Sequence, residues 1–219
     1  MSLKIEKVDI SPLLKDVNIQ IEENSITSIL GKNGSGKTTL LKVLSGLIIP
    51  NAGLLSYKMD FQIDYSNINI IKLNKVLNFL KKKVKYIPAN IDLYENATVI
   101  QNIKYLLLVN NITLKDKETE LLKYLNYFGL EGSLDKKIGS LSHGSKRKIV
   151  IICSLLFPNE YLILDEPTLG FDSTSTYNFF ELIKKLNKTI IISTHEIEYA
   201  KEISTTIYHI TDRVINKER

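Results

Sequence analysis

Residues Gly31-Lys32-Asn33-Gly34-Ser35-Gly36-Lys37-Thr38 set glycines, a lysine and a hydroxyl in the spacing G-x-x-x-x-G-K-[ST]. A loop of this kind can hold the phosphates of a nucleotide. Glycines let the backbone curl until successive N–H groups point at phosphate oxygens, and a helix N-terminus adds its partial positive charge. In that arrangement Lys37 reaches the terminal phosphates and the Thr38 hydroxyl ligates magnesium. The bland alternative is a glycine-rich turn before a helix; average composition predicts a chance match on the order of one time in a hundred in a chain this long.

Two further stretches carry groups that complete phosphate chemistry. Tyr161-Leu162-Ile163-Leu164-Asp165-Glu166-Pro167 is an apolar strand ending in paired carboxylates. At the C-terminal end of a strand beside the loop, Asp165 can hold magnesium through its water shell and Glu166 can polarise an attacking water. The alternative is a polar turn before a helix capped by Asp172. Residues 189–193 form another apolar strand, followed by Thr194-His195-Glu196. His195 therefore falls on the same rim, where it can hydrogen-bond the terminal phosphate and link it to Glu166. A lone histidine after a strand is more often a cap or a surface residue, and His209, inside the last strand, reads as structural.

The elements that must position these groups alternate in type. Residues 4–10 and 17–21 alternate apolar and polar, as half-buried antiparallel strands do, and 26–30 is a short apolar strand ending at Gly31. Residues 37–47 read as a helix closed by Pro50; a short strand is expected after Gly53. A lysine-rich amphipathic stretch, 72–85, leads into a strand at 84–87. Thr98 and Thr113 are expected to cap helices at 99–109 and 114–128, the second with Asp116 at the capping-box position and Gly129 as its stop. Ser142 caps a third helix running to Phe157. Strand 161–164, helix 173–187, strand 189–193, helix 196–203 and strand 205–210 follow. Strands alternating with helices argue for an α/β fold with a mostly parallel sheet, an antiparallel β subdomain at the N-terminus and an inserted α-helical subdomain. One domain over 1–219 is expected, with 1–88 and 142–219 as the α/β core and 89–141 as the insertion.

Composition narrows the class. The chain has 219 residues, 44% hydrophobic and 24% charged, which excludes wholesale disorder, collagen-like sequence and disulfide scaffolds. A net charge of +5 invites a nucleic-acid reading, yet of 29 basic residues only Arg147, Arg213 and Arg219 are arginine. Readers of bases and phosphates lean on the bidentate guanidinium, so no nucleic-acid partner is expected. The single cysteine, Cys153, allows no intrachain disulfide and fits a reducing compartment. The N-terminus lacks an apolar signal core, and the longest nearly unbroken apolar run, 149–157, is half a membrane span. The chain is expected to be neither exported nor membrane-spanning by itself.

Taken together, these motifs resemble the nucleotide-binding subunit of ABC transporters, over almost the whole length. The phosphate loop runs from Gly31 to Thr39, the Walker B strand ends at Glu166, Pro167 to Asp172 looks like the D-loop, and His195 looks like the switch histidine. The family signature L-S-G-G-Q stands here as Leu141-Ser142-His143-Gly144-Ser145, and a histidine at that place resembles exporter-type subunits. The resemblance implies a P-loop NTPase fold, ATP and Mg2+ as ligands, and head-to-tail pairing. Ser142, His143, Gly144 and Asp172 of one subunit would then complete the ATP site of the other. With arginine so scarce, a helix N-terminus opening at Ser142 can supply hydroxyl, backbone N–H and dipole to the γ-phosphate.

Departures from the family pattern are definite. The expected Q-loop glutamine is Ala89 in Tyr86-Ile87-Pro88-Ala89, with Asn90 one residue late. No aromatic residue precedes Gly31, so the usual adenine-stacking tyrosine is missing. Stacking on an aromatic ring contributes about 1–3 kcal/mol per base, which predicts weaker or less base-selective binding. The lysine-rich segment reads as a solvated face rather than a lipid or partner contact.

The expected function is an ATPase subunit, in a homodimer or a heterodimer with another ABC ATPase, that powers a separate integral membrane permease from the cytoplasmic face. Residues 92–141 with the loop at Ala89 would receive the permease. The alternatives are a non-transport ABC ATPase acting on ribosomes or DNA, and a nucleotide-binding regulatory module with little turnover.

Overall fold

The computed structural model describes residues 3–57, 61–90 and 92–219. Two compact units are formed. The first contains the chain through Tyr86, Asn159–Glu166 and Leu186–Arg219; the second contains Ile87–Pro158 and Pro167–Lys185.

The first unit is built on strands β1 (Leu3–Ile10), β2 (Leu14–Ile21), β3 (Ile26–Gly31), β4 (Ala52–Tyr57) and β5 (Phe61–Asp64), with helix α1 (Lys37–Leu44) after β3. Helix α2 (Ile70–Lys83) leads directly into β6 (Val84–Ile87). An antiparallel sheet has the order β2-β1-β4-β5. Alternate residues of β1 and β2 are buried, the pattern of strands with one face on a core and one facing water.

The second sheet has the order β10-β9-β3-β8-β7-β6. Its centre consists of β3, β7 (Tyr161–Asp165), β8 (Thr189–Ser193) and β9 (Thr206–Thr211), mutually parallel, with β10 (Val214–Lys217) antiparallel on β9. All residues of β7 and β8 are buried, which is why both read as continuous apolar runs. One core joins both sheets to α1 through Leu3, Ile5, Leu40, Leu44, Tyr57 and Ile163. Val76 and Leu80 anchor α2 to it while most of the helix's lysines face solvent. Helix α7 (Ile197–Ile203) buries Ala200 against Leu30 and Ile207.

The second unit is helical: α3 (Val99–Leu108), α4 (Glu118–Tyr127), α5 (His143–Leu155) and α6 (Ser173–Lys184). The fold class expected from the sequence is the one observed, an α/β protein with an antiparallel N-terminal sheet, a mostly parallel second sheet and helices; the helical unit also takes in α5 and α6, which the sequence pattern assigns to the α/β core.

Boundaries differ where local chemistry outweighs periodicity. Helix α1 ends at Leu44 and not at residue 47, because Gly46 takes the left-handed conformation, φ +75°. The Gly46 N–H then bonds Val43 O at 3.0 Å and the Leu47 N–H bonds Lys42 O at 2.9 Å, a Schellman motif. Thr98 caps α3 as expected and forms the capping box with Gln101. Thr113 is no cap: its hydroxyl bonds the Asp116 carboxylate, a 3-10 turn occupies Lys115–Lys117, and α4 begins only at Glu118. Gly129, φ +66°, does follow the end of α4. Helices α5 and α6 stop at Leu155 and Lys184, short of the expected 157 and 187. The four-residue strands β5 and β10, half polar, give too little pattern to be anticipated.

A Cβ on Gly46 would lie 2.4 Å from Leu80 Cδ1 and would hold a side chain at positive φ. Gly46→Ala is therefore expected to lower the unfolding free energy by about 1–3 kcal/mol, measured by urea denaturation.

Candidate functional site

Parallel strands β3, β7 and β8 end on one rim, with Asp165 paired in register to Ser193. The phosphate loop leaves β3 at Gly31 and enters α1 through Gly36, whose φ of +106° no other residue adopts readily. No side chain caps α1, so its first N–H groups keep their capacity for an anion. Lys37, 6% exposed, donates from Nζ to Gly31 O at 2.8 Å and Lys32 O at 3.3 Å and thereby closes the loop. Ser35 Oγ is buried without a hydrogen-bond partner among the described residues, a hydroxyl with bonding capacity to spare inside an anion-shaped loop.

Asp165 is 1% exposed and is held by hydroxyls. Thr38 donates to its Oδ2 at 2.7 Å, Ser193 to its Oδ1 at 2.5 Å, and Tyr86 to Oδ2 at 3.2 Å. The Thr38 hydroxyl and the Asp165 carboxylate are hard oxygen donors side by side, the chemistry that Mg2+ takes together with water and phosphate oxygens. Glu166 is at φ +44°, in the left-handed region. Its N–H bonds both the carbonyl and the hydroxyl of Ser193, at 3.1 and 3.0 Å. Its carboxylate is shared, with Oε1 3.5 Å from Lys37 Nζ and Oε2 2.9 Å from His195 Nδ1. His195 is 60% exposed, so the ring reaches outward from the rim.

The structure thus brings Lys37, Thr38, Asp165, Glu166 and His195 together within the first unit. A cleft of about 410 Å³ is lined by Leu13, Asn33, Gly34, Gly36–Thr39 and Glu166. A larger cavity of about 690 Å³ adjoins the loop, with Leu13, His195, Ile197 and Arg213 among its lining residues. Among the described residues, no Phe, Tyr or Trp lines either.

Ser142, His143, Gly144 and Asp172 lie in the second unit. Ser142 caps α5 by accepting the Ser145 N–H at 3.2 Å, and both Ser142 and His143 are exposed. Gly144 is buried, and a Cβ there would lie 2.3 Å from Gly170 O, so the two backbones meet without room for a side chain. Asp172 caps α6, and the Ser175 backbone N–H at 2.7 Å holds its carboxyl below the usual carboxylate range. The Ala89 loop contains Ile91, which lies outside the described residues.

Three participants escaped the sequence reading. Ser193 and Tyr86 are hydrogen-bonding partners of Asp165, and Arg147, 3% exposed, donates to the carbonyls of Pro88 and Pro167. A polar residue closing an apolar strand was the available signal for Ser193; for Tyr86 and Arg147 the sequence shows nothing that separates them from neighbouring tyrosines and lysines.

A family model described as ABC transporter matches residues 14–169. The chain belongs to the ABC transporter family. Relatives of this ABC cassette include the energy-coupling factor transporter ATP-binding protein EcfA of Aster yellows witches'-broom phytoplasma, 32% identical over 94% of this chain and 73% of that one. The L-cystine import ATP-binding protein TcyC of Bacillus subtilis is 31% identical over 93% of this chain and 82% of that one. Among solved structures, cbiO1 from Clostridium perfringens, part of the ABC transporter complex cbiONQ, aligns with a TM-score of 0.78 at 27% identity. That alignment covers 98% of this chain and 86% of the other. The chain is an ABC ATPase, with ATP as substrate and Mg2+ as cofactor.

An L-residue at the φ of Glu166 costs about 1–2 kcal/mol, and only glycine escapes it. Glu166→Gly is expected to be more stable than Glu166→Ala by about 1 kcal/mol after the greater unfolded-state entropy of glycine is counted, as read from paired denaturant melts.

Proposed function

We propose that this ABC ATPase pairs with a second ABC cassette, another copy of itself or a different chain, around bound Mg-ATP and drives a separate integral membrane permease. The observation that carries the proposal is the convergence of Lys37, Thr38, Asp165, Glu166 and His195 on one strand rim. All of residues 1–219 would serve this one ATPase domain.

The assigned roles follow from the chemistry of each group. Backbone N–H groups of 31–36 and the start of α1 receive the phosphates of ATP, and residues 37–39 continue that cradle. Lys37 exchanges its carbonyl partners for terminal phosphate oxygens. Thr38 and Asp165 would hold Mg2+, which when bound neutralises charge on the phosphates. Glu166 accepts a proton from the attacking water as the γ-phosphoryl passes to it, giving ADP and phosphate. His195 Nδ1, already on Glu166 Oε2, fixes that carboxylate and leaves the rest of an exposed ring to meet phosphate.

Positive potential at the γ-phosphate beyond Lys37 has no free source in Arg147, whose guanidinium is buried on two carbonyls. The N-terminus of α5, with exposed Ser142 and His143 followed by Gly144, is suited to supply it from the partner cassette, together with Asp172. No helix among the described residues is long and apolar enough to cross a membrane. In this reading the cassette couples to transport through a separate membrane chain and sits peripherally on its cytoplasmic face. The family match and the relatives EcfA and TcyC, both ATP-binding proteins of transporters by name, support this reading.

Glu166→Gln removes the proton acceptor while keeping shape, so it should retain ATP unhydrolysed. Light scattering after size exclusion is expected to show the mass doubling on addition of Mg-ATP. A monomer that still binds ATP would overturn pairing with itself; zero turnover by folded wild-type protein supplied with membranes from its own host would overturn the ATPase reading in favour of a regulatory module.

A further inference from the structure

The Asp165 carboxylate is held on both oxygens, and hydroxyls from outside the phosphate loop take part. Ser193, on the neighbouring strand β8, takes Oδ1, while Thr38 and Tyr86 share Oδ2. Donors on opposite oxygens stop the carboxylate from rotating about its Cβ–Cγ bond, which an ion with strict octahedral demands rewards. Tyr86 is half-buried in β6, its side chain packed against the core of the first unit and its hydroxyl turned to Asp165. In the loop that follows, Ala89 offers no polar side-chain atom.

We propose that Tyr86 is a positioning residue for the metal-binding carboxylate: its phenol hydroxyl holds Asp165 Oδ2 from the sheet edge and so tightens the grip on Mg2+ accompanying ATP. The hydroxyl acts through Asp165 and does not itself touch the nucleotide. The assignment rests on the reading of Thr38 and Asp165 as the Mg2+ ligands. Partners of this kind, which orient a ligand without binding the ion, change metal affinity by about 10–100-fold when removed. At 3.2 Å the bond is longer than that from Thr38, which places the expected effect at the lower end.

The test compares ATP affinity with Mg2+ and with EDTA in wild type, Tyr86→Phe and Asp165→Asn, beside thermal midpoints and electron paramagnetic resonance of Mn2+ bound with ATP. Phenylalanine keeps the ring and its packing. Tyr86→Phe is expected to reduce the Mg2+-dependent gain in ATP affinity about tenfold, to leave affinity in EDTA unchanged, to lower the thermal midpoint only by the loss of one hydrogen bond to Asp165, and to weaken Mn2+ binding in parallel. Turnover should recover at saturating Mg-ATP. A Mg2+ gain unaltered in Tyr86→Phe but lost in Asp165→Asn would overturn the role of Tyr86 alone. A gain unaltered in both would overturn the assignment of Asp165 and the inference with it.

Discussion

A carboxylate buried to 1% exposure governs the architecture of the site. An ionised group in such a place is tolerable only with donors on its oxygens. For Asp165 these come from α1 through Thr38, from β8 through Ser193 and from β6 through Tyr86. The same bonds that satisfy the charge therefore set where the phosphate-loop helix begins relative to the sheet. Lys37 follows the same logic with opposite sign, 6% exposed and held on the carbonyls of its own loop. A loop so braced can present its N–H groups to an anion with little reorganisation.

Glu166 marks the point where this order gives way to strain. Its N–H extends the strand ladder to Ser193, and the backbone then turns through φ +44° to bring the carboxylate back over Lys37 and toward His195. The conformation is disfavoured for a side chain of this type and persists because Ser193, Lys37 and His195 surround it. Backbone strain at this residue and its central place among the polar groups have one origin: a carboxylate that followed the strand direction would not stand between a lysine and a histidine.

In the second unit the caps serve two ends. Ser142 and Asp172 satisfy the first turns of α5 and α6 with their own side chains, as local chemistry requires. Ser142 and His143 nevertheless stay exposed beside a backbone contact, Gly144 on Gly170, too close for any side chain. Buried Arg147 ties the carbonyls of Pro88 and Pro167, two loop segments, to the helix that follows Ser142. An ABC cassette whose arginines are this few has one of them committed to internal bracing.

The sequence by itself determined the α/β alternation, the phosphate loop from Gly31 and the apolar strands ending at Asp165 and Ser193, because each is a local pattern of side-chain period or of glycine placement. It also determined the caps at Thr98, Ser142 and Asp172, where a hydroxyl or carboxylate meets its own helix. Other features depended on local competition, such as Thr113 bonding Asp116 instead of capping, or on short half-polar strands such as β5 and β10. Only the tertiary structure decided that Ser193 and Tyr86 hold Asp165, that Glu166 takes positive φ between Lys37 and His195, and that Arg147 is buried on two carbonyls. The physical reason is that strand register and sheet order bring these groups together across 28 positions for Ser193 and 79 for Tyr86, a separation over which no periodicity in the chain carries information.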